Sequence, residues 1–338
     1  MNGHGAGSGQ RLVIDGGTTT TRVWAVDGDL VLARGSAMIG ARDSARDGNN
    51  GRLVGAVRDL LIAASAEADA RASRWDPRYV VAAGMITSPL GLVEVPHVEA
   101  PAGVDELARN VRTLSLPEAS PLPILLVPGV RCGPLQPGLS DLAEVDVMRG
   151  EEVVCLGLVR TGQLPRPGLA LSVGSHWKRV EVDADGRIAS CTTTLSGELL
   201  HALRTQTVLA ASVDAALPPR LEAGDLDAFR AGMRERARSG LPRAAFCTRL
   251  LERVAGSSAR SRLLFLLGVV VDETLAHWRD AVVGRTIALL GAPVLCAAWH
   301  EALADAGSQG VVIDAADAES AFIAGATAIA QRAFAATA

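Results

Sequence analysis

Hydrophobic positions in this chain come in two textures. Short apolar runs that stop at glycine alternate with longer stretches of helical period, which predicts an α/β protein. The first run, 12–14, ends at Asp15; Gly16, Gly17 and four threonines follow before the pattern resumes at Val23 and Trp24. That is a strand-turn-strand hairpin, with a third strand over 30–36. Leu53, Val57, Leu60, Leu61 and Ala64 recur at helical spacing and predict a helix to about residue 72. A buried strand over 79–83, a second helix marked by Leu107, Val111 and Leu114, and a strand over 124–127 complete a β-β-β-α-β-α-β series. Residues 130–147 read as an irregular excursion. The apolar run 153–159 has no decisive period, but Glu151 and Glu152 just ahead of it favour a helix, because carboxylates suit a first turn.

A proline-containing linker over 163–167 divides the chain into 1–162 and 163–338. Beyond it the opening pattern returns: a strand over 169–173, a turn at Gly174, Ser175 and His176, and a return strand over 178–182. This resembles an internal duplication, one hairpin per half. Asp185-Gly186 turns into a strand over 187–194, and Ser196 is placed to cap the helix carrying Leu199, Leu200 and Leu203. A polar helical stretch follows over 220–243, then an apolar helix over 263–278. A strand over 287–290 ends at Gly291-Ala292-Pro293, ahead of a helix over 294–306, a last strand at 311–313 and a last helix over 318–335.

With 338 residues, 49% of them apolar, the chain can bury two cores. A net charge of −4 argues against a nucleic-acid partner. Arg230, Arg234, Arg236 and Arg238 read as the solvated face of one helix. Five scattered cysteines (Cys132, Cys155, Cys191, Cys247 and Cys296) form no C-x-x-C pair and read as reduced thiols. No hydrophobic leader is expected in 1–10, and the apolar runs 263–271 and 287–299 are too short for a bilayer, so a cytoplasmic protein is expected. Lys178 is the only lysine in the sequence, so its position asks for an explanation.

The candidate chemistry sits at the turns. Asp15, at the end of a buried strand, suits Mg²⁺, and the glycines and hydroxyls after it suit a phosphate; an ordinary glycine-rich hairpin is the other reading. Neither a G-K-[ST] loop nor a G-x-G-x-x-G fingerprint is present. Gly84, Met85, Thr87 and Ser88 follow a strand as a substrate loop or a plain connection would. Arg149-Gly150-Glu151-Glu152 would place a carboxylate at a helix N-terminus, and Gly291-Ala292 would let a flat ring approach the backbone.

The order of these pieces resembles the actin, hexokinase and sugar-kinase superfamily. That resemblance implies two ribonuclease-H-like (actin-like ATPase) lobes with an interlobe ATP cleft. The run from Asp15 to Thr19 matches its first phosphate loop, 171–175 its second, and Gly291-Ala292 its adenosine loop. Within the superfamily the chain is similar to the 2-dehydro-3-deoxygalactonokinases. The matching stretches are Gly84-Met85 with Pro96 and Pro101, Val127-Pro128-Gly129, the run from Asp146 to Glu152, Gly174-Ser175-His176 with Lys178, and the run from Leu195 to Leu199. The family implies transfer of the ATP γ-phosphoryl group to the 6-hydroxyl of a sugar acid, 2-dehydro-3-deoxy-galactonate.

By that resemblance Glu151 is the general base, with Glu152 the alternative, and Asp15 holds Mg²⁺. Gly16, Gly17, Thr18 and Thr19 meet the transferring phosphates, and Gly174, Ser175 and His176 cradle the β-phosphate. Lys178 or Arg149 faces the γ-phosphate or the substrate carboxylate, while Gly84, Met85, Thr87, Ser88 and Glu198 belong to the sugar side. The chain departs from the family at Gly16 and Arg179, where aromatics are usual, and at Trp177, where a small residue is. It also shows Gly91-Leu92 and Pro96-His97 in place of the usual G-W and P-Y pairs. A kinase for another sugar or sugar acid, and a non-catalytic nucleotide or sugar sensor, remain as rivals. The oligomeric state, homodimer included, is left open.

Overall fold

The computed structural model of the protein describes residues 9–337, which form two α/β units. The first holds the described residues up to Arg166, then Val182–Ser190, then the chain from Glu319 on. The second holds Pro167–Glu181 and Cys191–Ala318.

The first unit opens with β1 (Gln10–Gly16), β2 (Thr21–Asp27) and β3 (Leu30–Ala37), then α1 (Ala41–Asp47) and α2 (Gly51–Arg71). Next come β4 (Val80–Gly84), β5 (Val98–Glu99), α3 (Val104–Arg109), β6 (Arg112–Leu116) and β7 (Ser120–Leu126). β8 (Val130–Cys132), β9 (Asp146–Met148) and α4 (Glu151–Arg160) follow. The main sheet has the order β3-β2-β1-β4-β7-β6, with β1 antiparallel to β2 and parallel to β4. Leu12, Val13 and Ile14 are all buried because β1 is covered on both faces, which is why they read as an unbroken apolar run. Leu53, Val57 and Leu61 of α2 share a core with Leu12 and Ile14.

The expected second helix ends early. Asn110 stops α3, and Leu114 and Leu116 then alternate along β6 and pack on the core at strand period. Three apolar residues at 107, 111 and 114 satisfy a helical repeat by coincidence. Nor is 130–147 wholly irregular: β8 and β9 pair antiparallel at its two ends and join β5 in a small sheet. The undecided run 153–159 is helical, within α4.

The second unit is built on β10 (Gly168–Val173), β11 (Trp177–Val182), β12 (Ile188–Thr194) and α5 (Ser196–Gln206). α6 (Asp225–Ser239), α7 (Leu241–Arg253), α8 (Ala259–Val282), β13 (Thr286–Gly291), α9 (Pro293–Asp305) and β14 (Gln309–Val312) complete it. Its sheet order is β12-β11-β10-β13-β14, with β13 parallel to both β10 and β14. Trp177 is fully buried, edge-on to Trp299 at 5.5 Å, and Trp299 stacks on Trp278 at 5.7 Å. The unusual indole at 177 therefore points into the core, away from the turn before it.

The arginine run on α6 is not a uniformly solvated face. Arg236 is tied to the buried Asp272 of α8, and Arg230 reaches Glu301 of α9 at 2.8 Å. α6 and α8 cross where Gly232 and Gly268 meet. A Cβ on Gly268 would come within 2.9 Å of the Phe229 carbonyl carbon, and one on Gly232 within 2.9 Å of that of Phe265. Gly268→Ala is expected to destabilise the second unit by about 1–3 kcal/mol through overpacking, read by thermal denaturation.

The last helix, α10 (Ala315–Thr337), crosses back to the first unit within its opening turn. Phe322 packs on Trp24 at 5.7 Å, and Thr327 accepts a hydrogen bond from the buried Arg11 at 2.7 Å. None of the five cysteines is in a disulfide, as their spacing predicts. Among the described residues, no helix is long and apolar enough to cross a membrane.

Candidate functional site

In the first unit, three chain segments converge at the carboxyl ends of two parallel strands. Gly16 and Gly84 end β1 and β4 and lie opposite each other in the ladder. Gly84 has φ +86°, and a Cβ there would sit 2.6 Å from the Gly16 carbonyl oxygen and 3.3 Å from Asp15 Oδ1. Gly150, the N-cap of α4, has φ +110°, and a Cβ there would stand in ordinary contact with the Gly84 Cα at 3.4 Å. Glycine at 84 allows the close approach to Gly16 and glycine at 150 the positive φ, and the result brings Asp15, the turn after β4 and the start of α4 together.

Asp15 is 21% exposed and receives a hydrogen bond from Arg22 at 2.9 Å. Burial pushes its carboxyl above the ordinary carboxylate value; Arg22 pulls it back and the nearby charge of Glu151 pushes it up again. Glu152 is fully buried, and both its oxygens accept the Gly150 N–H, at 2.9 and 2.8 Å. Glu151 is half-buried on the same first turn. The two neighbouring carboxylates therefore differ: Glu152 is occupied at the helix start, and Glu151 lies nearer the surface.

The turn between β1 and β2 closes with Gly17 N–H on the Thr20 carbonyl at 2.8 Å. The carbonyls of Gly17 and Thr18 point inward, to the amides of Ala41 at 3.2 Å and Arg42 at 2.9 Å. In a trans peptide the C=O and the next N–H are antiparallel, so the amides of Thr18 and Thr19 point outward. Thr19 is exposed and Thr18 half-buried.

The second unit repeats the device. The Ser175 carbonyl accepts from the Glu198 amide at 2.9 Å, and Gly197 packs so tightly on this turn that a Cβ would lie 2.5 Å from that carbonyl oxygen. The amide of His176 is turned outward by the same antiparallel geometry. Gly174 and Ser175 are exposed, and His176 Nε2 lies 3.6 Å from Glu198 Oε1. Ser196 does not cap α5 but is its first helical residue. Its hydroxyl is shared with Thr194 at 2.8 Å and Thr274 at 2.6 Å, which ties the start of α5 to α8.

Val173 pairs with Gly291 between parallel strands, so the exposed Gly291-Ala292 turn stands beside Gly174. Next to that turn opens a mostly apolar groove of about 500 Å³, lined among others by Leu221, Leu226, Pro293, Ala297 and Val312. Lys178 is buried on β11, on the face opposite Trp177, and not at the exposed tip.

Arg149 faces the loop after β4. It donates to Thr87 Oγ1 at 2.9 Å and to the Val95 carbonyl at 2.6 Å, and contacts His97 Nδ1 at 3.4 Å. Burial pulls its guanidinium below the ordinary arginine value, against the opposing effect of Glu152 and Glu94. Thr87 in turn donates to the Gly84 carbonyl at 3.0 Å, and Ser88 to that of Met85 at 2.7 Å. The structure thus gathers Asp15, Gly16, Gly84, Met85, Thr87, Ser88, Arg149 and Glu151 in one unit. It gathers Gly174, Ser175, His176, Glu198, Gly291 and Ala292 in the other.

Two features were missed from the sequence. Arg22 is the cross-strand partner of Asp15, which follows from counting back from a four-residue turn with Gly16 opposite Thr21. The start of α1, which turns the hairpin carbonyls inward, carries no hydrophobic repeat that would announce it.

A family model described as 2-keto-3-deoxy-galactonokinase matches residues 15–329. No curated protein matches the chain significantly. A candidate 2-dehydro-3-deoxygalactonokinase from Sinorhizobium meliloti superposes with TM-score 0.72 at 23% identity, over 95% of this chain and 96% of its own. The activator of 2-hydroxyisocaproyl-CoA dehydratase from Clostridium difficile, with bound ADPNP, gives 0.51 at 11% identity over 97% of each chain. A ligand-bound xylulose kinase from Lactobacillus acidophilus gives 0.51 at 9% identity, over 97% of this chain and 90% of its own. These likenesses establish the actin-like ATPase and sugar-kinase fold.

Proposed function

The chain belongs to the 2-keto-3-deoxy-galactonokinase family and is a sugar kinase, and on that premise we propose that it transfers the γ-phosphoryl group of ATP to the 6-hydroxyl of 2-dehydro-3-deoxy-galactonate. The observation that carries this reading is the glycine-packed meeting of Asp15, the 84–97 loop and Glu151 at the ends of β1 and β4.

Phosphoryl transfer needs alignment, charge neutralisation and a group to take the hydroxyl proton. Glu151 takes that proton, since Glu152 is occupied by the Gly150 amide. Asp15 would hold Mg²⁺. Mg²⁺ is usually held by one or two carboxylates together with substrate phosphates, which suits a single carboxylate at the end of β1. When bound, Mg²⁺ neutralises charge on the phosphates. The outward amides of Thr18 and Thr19 meet the transferring group, and Gly174, Ser175 and His176 meet the nucleotide phosphates. Gly291-Ala292 and the groove beside it take the adenosine.

Arg149 orders the sugar loop through Thr87 and Val95. Arg149→Ala is expected to raise the acceptor KM about tenfold, the equivalent of losing one charge-assisted hydrogen bond, with ATP KM little changed. Steady-state kinetics in both substrates checks this.

A sugar acid other than the galactonate compound is the second reading, favoured by the contact of His97 with Arg149 in the atypical loop. ATP consumption with Mg²⁺ and the galactonate compound, its gluconate epimer or neutral hexoses separates the readings. Turnover confined to the galactonate compound supports the proposal, and turnover on another acceptor replaces the substrate. ATP binding without turnover on any of them indicates a sensor.

A further inference from the structure

A polar cavity of about 470 Å³ lies in the first unit at the C-terminal end of α4, the far end from Glu151. The last turn of α4, the start of α3, Arg166 and the tight turn between β11 and β12 form its wall. Its size is that of a small-molecule site. Ten helical residues span about 15 Å, so a ligand here does not reach the carboxylates at the start of α4.

Three carboxylates (Asp105, Glu106 and Asp185) and three arginines (Arg160, Arg166 and Arg187) line the cavity, but the charges are not paired one to one across it. Each carboxylate already has its own partner. Asp105 accepts from Arg332 at 2.7 Å, Glu106 from the Gly103 amide at 3.0 Å and Arg109 at 2.7 Å, and Asp185 from Arg187 at 3.1 Å. Arg160 and Arg166 line the same cavity, are exposed, and have no hydrogen-bond or ion-pair partner among the described residues. Two guanidinium groups thus stand without a direct partner beside an apolar strip made by Leu156 and Val159. A guanidinium fork matches phosphate oxygens in pairs, which a point charge does not. The dipole of α4 disfavours an anion at this end, and Arg160 on its last turn offsets that field.

We infer that this cavity binds a small phosphate monoester, with Arg160 and Arg166 holding the phosphate and Leu156 and Val159 lying against the carbon skeleton. The site goes beyond the kinase reading and does not depend on it.

The test is isothermal titration of sn-glycerol 3-phosphate into the full chain saturated with MgADP, beside the double variant Arg160→Ala/Arg166→Ala. Both side chains are exposed, so the variant is expected to keep the parental melting temperature. The expected result is a one-site isotherm that weakens at least tenfold in the variant, with inorganic phosphate binding more weakly than the ester. Absence of heat with the parent, or an unchanged isotherm in the variant, would overturn the site. Equal affinity for inorganic phosphate would overturn its assignment to an ester. Because the readout is binding, a chain inactive on every sugar acid would still answer the question.

Discussion

Glu151→Gln is expected to lower kcat by about 10²–10⁴-fold while ATP affinity and the melting temperature stay close to the parent. The substitution keeps the volume and removes only the capacity to accept a proton. It also removes the negative charge that helps push Asp15 upward. Asp15 ionises more readily in the variant, so a lost metal ligand does not explain the lost rate. Glu152→Ala separates the two neighbours by the opposite signature. It leaves the Gly150 amide without its acceptor and is expected to cost about 1–3 kcal/mol in stability. Single-turnover kinetics and denaturation of the two variants decide the matter. Near-parental turnover by a folded Glu151→Gln protein would move the base elsewhere.

Gly157→Ala is expected to be among the most damaging single-methyl changes in the first unit. α4 and α10 approach so closely that a Cβ on Gly157 would overlap the Ala321 carbonyl, coming within 2.5 Å of its carbon. Gly325 is packed on α4 in return, where its Cβ would stand 3.1 Å from the Val153 carbonyl carbon. The obstruction is backbone, so relief comes only by moving one helix off the other. A cost of about 3 kcal/mol, the upper part of the usual overpacking range, is expected. Glu151 rides on α4, so kcat should fall along with stability. Calorimetry of the variant with parallel rate measurements checks both. A parental melting temperature would mean that the helices part without cost.

The parts of the fold that were legible in the sequence are those where burial dictates composition. β1, β4, β10 and β13 lie inside their sheets and announce themselves as apolar runs ending at glycine. α4 was decided by its two leading glutamates when its apolar run could not decide. What stayed hidden depends on partners distant in the chain. Val111 and Leu114 look helical until β7 is seen beside them. Asp15 and Gly174 could be named as ligand turns from glycine and hydroxyl content, but the amides that draw the carbonyls of Gly17, Thr18 and Ser175 inward come from α1 and α5. Arg149 could be picked out, yet its contacts lie on a loop 54 and 62 residues earlier. Lys178 stood out as the sole lysine, and nothing local says that it is buried in β11.

The return of α10 to the first unit has a consequence for how the protein is made. Arg11, Trp24 and Gly157 meet their α10 partners only after the ribosome has made the whole second unit and then α10. The first unit, begun before the second, is completed after it, while the second can close on its own sheet before α10 is made. A messenger truncated ahead of α10 would therefore yield a polypeptide whose second unit is intact and whose first unit stays open, its apolar sheet face available to chaperones and proteases.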